Sequence, residues 1–381
     1  MNEISLDNKM KDIIKNYYEK CIGCNKCFKV CPMINKFTSD SKNLLEKLKN
    51  DKKMDKDLAF SCMLCDRCRE VCPTEIDFKR IFFMARKRLF MTKKRELNSL
   101  GYTIVKFHQK NTFSSFFSAN YINKNSKKAF IPGCALTSYN SEIILNIFNY
   151  LKMNLGDMSI LFECCGKPTL DFGDEEGFKK YYSKLDNVIK ENSIKEVIVA
   201  CENCYKVIKE NSPNIKVVSL YEVVGKRGIP LELINKYKNK KETYALHDPC
   251  PIKEETNIHN SVRKILNELS LGYIEFEKNR EQTECCGFGG MVFVTNKELA
   301  SEQMKKRANS TEADCIISYC ESCVEAMKIG GKKSVHILDL LFNHKIIVNE
   351  GDLNQSNKGL IKKWITRKIT INKFKEIFKE R

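Results

Sequence analysis

The sequence predicts two architectures in series: a mainly α-helical N-terminal segment, then an α/β part built as a tandem repeat of parallel βαβ units. Three observations carry this. Eight of the 19 cysteines lie between Cys21 and Cys72, none follows until Cys134, and ten of the rest form two copies of one five-cysteine pattern. Both copies contain the tetrapeptide ECCG, at 163–166 and 284–287. Short β-branched runs alternate with helical stretches in both copies, whereas strand signals are few before residue 96.

Residues 1–95 form the first expected domain, with helices over 5–19 and 41–55 and a longer basic one over 76–95. Two runs, CIGCNKCFKVCP (Cys21, Cys24, Cys27, Cys31, Pro32) and CMLCDRCREVCP (Cys62, Cys65, Cys68, Cys72, Pro73), share the spacing C-x2-C-x2-C-x3-C-P. That is the bacterial ferredoxin run for [4Fe–4S] clusters. Three thiolates two residues apart wrap one face of a cube, and the fourth, thrown outward by the proline-terminated turn, reaches the neighbouring cluster. Cys21, Cys24, Cys27 and Cys72 are therefore expected to hold one cluster, and Cys62, Cys65, Cys68 and Cys31 the other. Structural zinc favours cysteine pairs a dozen or more residues apart, unlike either run. With few large apolar residues nearby, the clusters are expected to serve as the core and the apo segment to fold poorly.

Residues 96–126, polar and aromatic without clear period, read as a linker. The first cysteine-rich repeat spans 127–242 and the second 243–345. In the first, Cys134 precedes the pair Cys164–Cys165 and then Cys201 and Cys204; in the second, Cys250 precedes Cys285–Cys286 and then Cys320 and Cys323. The gaps from pair to C-x2-C are 35 and 33 residues, and from single cysteine to pair 29 and 34. Five cysteines in one order at nearly one spacing is an internal duplication. Strands are expected at 129–132, 159–162, 196–200 and 216–220, and again at 243–247, 273–277, 315–319 and 334–338, with helices such as 138–152 and 175–191 between them.

Each cysteine motif then falls just after a strand, at the carboxyl edge of a sheet, where open α/β folds bind ligands and helix N-termini favour anions. Adjacent thiolates repel, so a double cysteine in a turn points to metal on both sulfurs. Gly166, Gly287, Gly289 and Gly290 would let backbone approach the sulfurs and donate N–H bonds. Glu163 and Glu284 read as solvated turn residues. His247 reads as a satisfied histidine at a strand end, with proton supply to a departing thiolate as its functional alternative. Cys315, outside the pattern, is expected to be buried on a strand. His259, His336 and His344 show no ligand-like spacing.

The formal charge of +18 assumes neutral thiols. Two four-thiolate clusters of about −2 each would lower it to about +14. The basicity suits an acidic redox partner, an anionic substrate, an anionic membrane surface, or simply a lysine-filled exterior. No nucleic-acid recognition motif accompanies it. The N-terminus offers no apolar h-region, and no apolar run approaches a membrane span, so a cytoplasmic chain with reduced thiols is expected. GFGGMVF at 287–293 lacks the dinucleotide-binding spacing, so flavin or NAD is expected on another chain. The basic tail, 346–381, ends in a helical segment with Ile361, Trp364, Ile365, Ile369, Phe374, Ile377 and Phe378 roughly on one side.

A two-cluster ferredoxin followed by two C-xn-CCG-xn-C-x2-C domains resembles the heterodisulfide reductase D family. It is equally similar to the iron–sulfur subunits of glycolate oxidase and of anaerobic glycerol-3-phosphate dehydrogenase. The resemblance runs from residue 15 to about 345 and includes PGC at 132–134, HDPC at 247–250 and ECCGFGG at 284–290. It implies an iron–sulfur oxidoreductase of anaerobic metabolism that transfers electrons. It implies that Cys134, Cys164, Cys165, Cys201 and Cys204 hold one further cluster and Cys250, Cys285, Cys286, Cys320 and Cys323 another, non-cubane in type, which cleave a disulfide between them. Zinc, or an ordinary [4Fe–4S] cluster per site, is the alternative, and the 29-residue gap departs from the family's longer one. The implied partners are a flavoprotein dehydrogenase or other redox protein and a ferredoxin-like or quinone-linked carrier, with peripheral membrane association through a partner. A relay component of a glycolate/lactate or glycerol-3-phosphate dehydrogenase complex is the second reading, and a metal-bound scaffold the third.

Overall fold

The computed structural model describes residues 3–349 and 358–379. The chain divides into two compact units. The first joins Met1–Phe107 to Pro168–Phe178 and Glu284–Met304; the second holds His108–Lys167, Lys179–Thr283 and Lys305–Arg381.

In the first unit, aspartates start the helices. Asp7, Asp40 and Asp77 each accept backbone N–H bonds at the N-termini of Asn8–Lys20, Ser41–Asp51 and Phe78–Lys93. Met10 and Ile14 on the first helix, Leu44, Leu45 and Leu48 on the second, and Ile81, Phe82, Ala85 and Leu89 on the third recur at helical spacing and meet in one apolar core. The expected helix over 41–55 stops at Asp51, because Lys53–Asp55 (β2) pairs antiparallel with Glu3–Ser5 (β1). This core corrects the expectation that clusters would replace one. Its members are spread from Ile4 to Phe172, so no local stretch looked apolar enough.

Both later segments of this unit follow an ECCG tetrapeptide or contain it. Phe172 packs at 5.1 Å from both Phe60 and Tyr102. Thr295 donates to Phe60 O (2.9 Å) and Asn296 to Ser61 Oγ (3.3 Å). The stretch read as linker is also more ordered than expected. It carries the helix Tyr102–Asn111, anchored by Tyr102 and Val105, three residues apart and buried in the first unit's core.

The second unit holds two sheets. One runs β3-β5-β4-β6-β7, formed by Asn120–Tyr121 (β3), Lys128–Ile131 (β4), Ser159–Leu161 (β5), Glu196–Val199 (β6) and Lys216–Ser219 (β7). All neighbours in it are parallel except β3 on β5. The other runs β11-β10-β8-β9, formed by Tyr244–His247 (β8), Ile274–Glu275 (β9), Cys315–Ser318 (β10) and Lys333–His336 (β11), and is wholly parallel. The α/β arrangement thus stands, and all eight expected strands form; β3 was not anticipated. Cys315 is fully buried on β10, as expected.

The polar stretch opening the tail falls largely at 350–357, outside the described residues. The helix Leu360–Lys379 buries Arg367, Thr370, Ile371 and Phe374. The apolar side read from sequence needs correction: Ile361, Ile365 and Ile369 are exposed, because Arg367 and Thr370 take the inward positions through backbone carbonyls. Phe374 stacks edge-on at 5.2 Å from Phe148 and 5.3 Å from Phe162. Phe374→Ala is expected to cost about 3–5 kcal/mol, read as a lowered denaturant midpoint. The protein's one tryptophan, Trp364, lies on this helix and reports its release.

Candidate metal centres

The two N-terminal cysteine runs fold alike. Gly23 and Leu64, and then Asn25 and Asp66, occupy equivalent positions and all take positive φ (70°, 54°, 53° and 68°). A left-handed residue on either side of the second cysteine curls each loop so that its first three thiols converge. One cavity is lined by Cys21, Cys24, Cys27 and Cys72, with Cys68 at its border. A second is lined by Cys31, Cys62, Cys65 and Cys68. The structure therefore brings together both crossed sets derived from spacing.

Burial, with Cys65 beside it, pushes the Cys31 thiol up to about 12. Burial raises Cys62 to about 11 against the opposing charge of Arg86, and holds Cys68 well above its usual range. Four such thiols converging out of water need a cationic centre to ionise, and an iron–sulfur core is one. The donor sets fit the group.

Glu284 and Cys285 line the same cavity as Cys31, Cys62, Cys65 and Cys68. The second ECCG turn therefore abuts the second ferredoxin run. A Cβ on Gly290 (φ +59°) would meet Cys62 O at 2.4 Å, so only glycine permits this approach. Arg86, fully buried, donates to Ala59 O (2.9 Å), Cys62 O (2.6 Å), Asp171 O (2.7 Å) and Gly290 O (2.7 Å).

In the second unit the first five-cysteine set is complete. Cys134 opens the helix Cys134–Tyr139 after β4, Cys164–Cys165 follows β5, and Cys201 and Cys204 lie at the start of the helix Glu202–Asn211 after β6. Their sulfurs form one hydrogen-bonded chain, Cys134 with Cys164, Cys164 with Cys165, Cys165 with Cys204, and Cys204 with Cys201. Bonds from Cys164 and Cys204 hold Cys165 down at about 6. A Cβ on Gly133 (φ +82°) would meet Cys201 Cβ at 2.7 Å, so glycine is required for the strand ends to converge. Arg367, 1% exposed, spans Phe117 O and Phe162 O; its Nη1 is buried without a partner, and its charge lies beside Cys134 and Cys164. An unpartnered cationic donor beside thiols suits an anionic metal–thiolate centre.

The second set is divided between the units. Cys250 starts a short 3-10 turn after β8, and Cys320 and Cys323 bracket the start of the helix Glu321–Ile329 after β10, all in the second unit. Cys285 and Cys286 belong to the first unit. The expectation that all ten sulfurs sit directly at strand ends is thus corrected for this pair: β9 is two residues long, and 276–283 separates it from the turn. The ECCG turns are nevertheless alike. Gly166 N donates to Cys164 Sγ and Gly287 N to Cys285 Sγ, each at 3.4 Å.

Other sequence readings shift. Glu163 is half-buried, accepts a bond from Asn120 (2.7 Å), and is raised by burial, so it is not a solvated turn residue. His247 is fully buried and accepts from Arg307 Nε (3.3 Å) at Nδ1, while a ring nitrogen lies within 4.8 Å of Cys323 Sγ. Asp248 is bidentate to Arg263 (both 2.7 Å) and accepts from Tyr319 Oη (2.7 Å). Despite its burial, that guanidinium holds the carboxyl at about 2.

Sequence reasoning missed Glu202, Arg86, Arg367 and His108. Glu202 is buried between the repeats, its carboxyl bonded to Cys320; burial, with Cys201 nearby, keeps it well above the usual carboxylate range. The recurrence of Cys-Glu at 201–202 and 320–321 was the signal that could have found it.

Comparison with known proteins agrees with this arrangement. Residues 20–77 match the 4Fe-4S dicluster domain, and residues 128–209 and 244–328 each match the CCG cysteine-rich domain. The chain is 24% identical over 341 residues to a component of the fumarate reductase (CoM/CoB) of Methanothermobacter marburgensis, covering 84% of this chain and 60% of that one. It is 26% identical over 180 residues to a component of the dihydromethanophenazine:CoB–CoM heterodisulfide reductase of Methanosarcina barkeri, 44% of each. Over 205 residues it is 23% identical to lactate utilization protein A of Oceanobacillus iheyensis, 48% of this chain and 82% of that one. The chain thus spans about half the length of the first two relatives. A solved aspartate racemase homologue from Pyrococcus horikoshii aligns at 16% identity over 59% of this chain and all of that one, with a TM-score of 0.26, too low to bear on fold or function. Two cysteine-rich repeats behind a dicluster domain, in the order of these relatives, place the chain in the CCG-domain iron–sulfur family that includes heterodisulfide reductase D.

Proposed function

We propose that the chain is the iron–sulfur electron-transfer component of a larger redox complex, with disulfide reduction at its cysteine-rich repeats. The observation that carries this is the convergence of eight N-terminal thiols into two crossed sets of four, together with a complete five-thiol set in the first repeat. Cys21, Cys24, Cys27 and Cys72 would hold one [4Fe–4S] cluster, and Cys31, Cys62, Cys65 and Cys68 the other. Cys134, Cys164, Cys165, Cys201 and Cys204, and Cys250, Cys285, Cys286, Cys320 and Cys323, would hold two further centres. Bound there, such clusters supply one-electron transfer. The chain's own residues shape the sites: Arg86 fixes the Cys62 loop against the second ECCG turn, and Gly166 and Gly287 donate N–H to sulfur.

Reducing a disulfide takes two electrons and two protons and yields two thiols. The electrons would come from a reduced flavoprotein or ferredoxin partner. A second reading, a relay for a hydroxy-acid dehydrogenase, draws on the match covering 82% of lactate utilization protein A. Among the described residues no helix is long and apolar enough to cross a membrane, so any membrane attachment through a helical span would lie with a partner.

The test is anaerobic purification with iron and sulfide quantitation, then EPR with and without 2-hydroxyethyl disulfide. More than about eight irons per chain, and a signal that changes with the disulfide as it is reduced, is the expected result. A co-purifying flavoprotein with hydroxy-acid activity and no disulfide response favours the relay. Zinc in the repeats, with iron confined to the N-terminal sites, sinks both.

A further inference from the structure

The helix Tyr102–Asn111 delivers an imidazole to the first five-cysteine set. His108 Nε2 lies 3.9 Å from Cys164 Sγ, and the donor atoms of His108, Cys134 and Cys164 all fall within 4.8 Å of one another. Nitrogen and sulfur bound to one tetrahedral ion, at about 2.0–2.1 Å and 2.3 Å, stand roughly 3.5–3.8 Å apart. The three atoms are therefore close to ligand spacing, and a contraction of less than about 1.5 Å would complete it. A hydrogen bond to a single thiolate would not require convergence on two sulfurs.

Two neighbours support the assignment. The Trp364 ring packs on the imidazole with centroids 5.9 Å apart, which limits its rotation. Arg367 presents its unpartnered Nη1 and its charge beside Cys134 and Cys164, the same two sulfurs that His108 approaches. Imidazole and thiolate together suit iron–sulfur centres and zinc.

We propose that His108 Nε2 is a metal ligand of the first cysteine-rich site, beside Cys134 and Cys164. The inference rests on the reading that this five-cysteine set holds metal. A neutral imidazole replacing a thiolate leaves the site one charge less negative, and histidine ligation raises the potential of iron–sulfur centres. The first site would therefore be more oxidising than it would be with thiolate ligands alone.

The full chain, purified anaerobically with 15N-labelled histidine and redox-poised to make the first site paramagnetic, is expected to show a directly coupled 15N in pulsed EPR. His108→Gln should abolish that coupling and leave the N-terminal cluster signals unchanged, which shows that the fold survives. His108→Cys should keep the metal, lose the nitrogen and lower the midpoint potential. If the site takes zinc, X-ray absorption should show a nitrogen shell near about 2.0 Å that disappears in H108Q. If its iron is EPR-silent, release to a chelator should be several-fold faster from H108Q, and an unchanged rate overturns the inference. Metal at the first site with no nitrogen, or with nitrogen that persists in H108Q, overturns the inference and leaves the proposed function standing. A first site that takes neither iron nor zinc overturns both.

Discussion

Cys31→Ser is expected to strip about four irons from the chain while sparing the site formed by Cys21, Cys24 and Cys27, the run in which Cys31 itself stands. The reason is the turn. Cys31 lies in extended conformation between the short helices Lys26–Val30 and Pro32–Asn35, and Pro32 cannot continue the first of them. Its sulfur therefore leaves its own run. The groups that raise its thiol besides burial are Cys65 and Cys62, both from the other run. Cys72 mirrors it, lining the cavity of Cys21, Cys24 and Cys27. The EPR spectrum of reduced C31S should match that of C65S and differ from that of C27S, and C72S should match C27S. The opposite pairing would refute the crossed assignment. Iron content alone cannot distinguish the two, because each variant loses one cluster.

How far this was legible in the sequence depends on range. The crossed ligands, the eight parallel strands and the two ECCG turns rest on local spacing, which survives folding unchanged. The destination of a turn does not. Nothing in ECCGFGG tells that Gly290 lies against Cys62, more than 200 residues earlier, because the contact needs only a missing Cβ and a carbonyl. His108 was invisible for a related reason. It stands 26 residues before Cys134 in a stretch without apolar period, and the helix that carries it is fixed by just two buried side chains, Tyr102 and Val105. The tail misled through its isoleucines. Arg367 and Thr370 can lie inward because the carbonyls of Phe117 and Thr137 receive them, and a hydropathy pattern contains no carbonyls.

Arg86 reverses its sequence reading most sharply, and Arg86→Met should show by how much. In the sequence it is one cation on a basic helix, where a solvated side chain is the ordinary expectation. In the structure it is fully buried and donates four bonds to carbonyls from three separate stretches of chain. Methionine approximates the volume but leaves those four acceptors unpaired, each costing about 1–3 kcal/mol if buried. Partial relaxation makes a net loss of about 4 kcal/mol reasonable, at the severe end for one substitution. Arg86→Lys keeps the charge but not the planar fork, and should recover less than half of it. The functional consequence is more specific than the loss of stability. Arg86 bonds the carbonyl of Cys62 and its charge opposes the burial that raises that thiol, so the site of Cys31, Cys62, Cys65 and Cys68 should lose iron first and reduce at a lower potential. The site of Cys21, Cys24, Cys27 and Cys72 serves as the internal control. Equal iron loss from both sites in R86M would mean that Arg86 stabilises the unit without tuning either centre, and a wild-type denaturant midpoint would mean that its four bonds contribute nothing net.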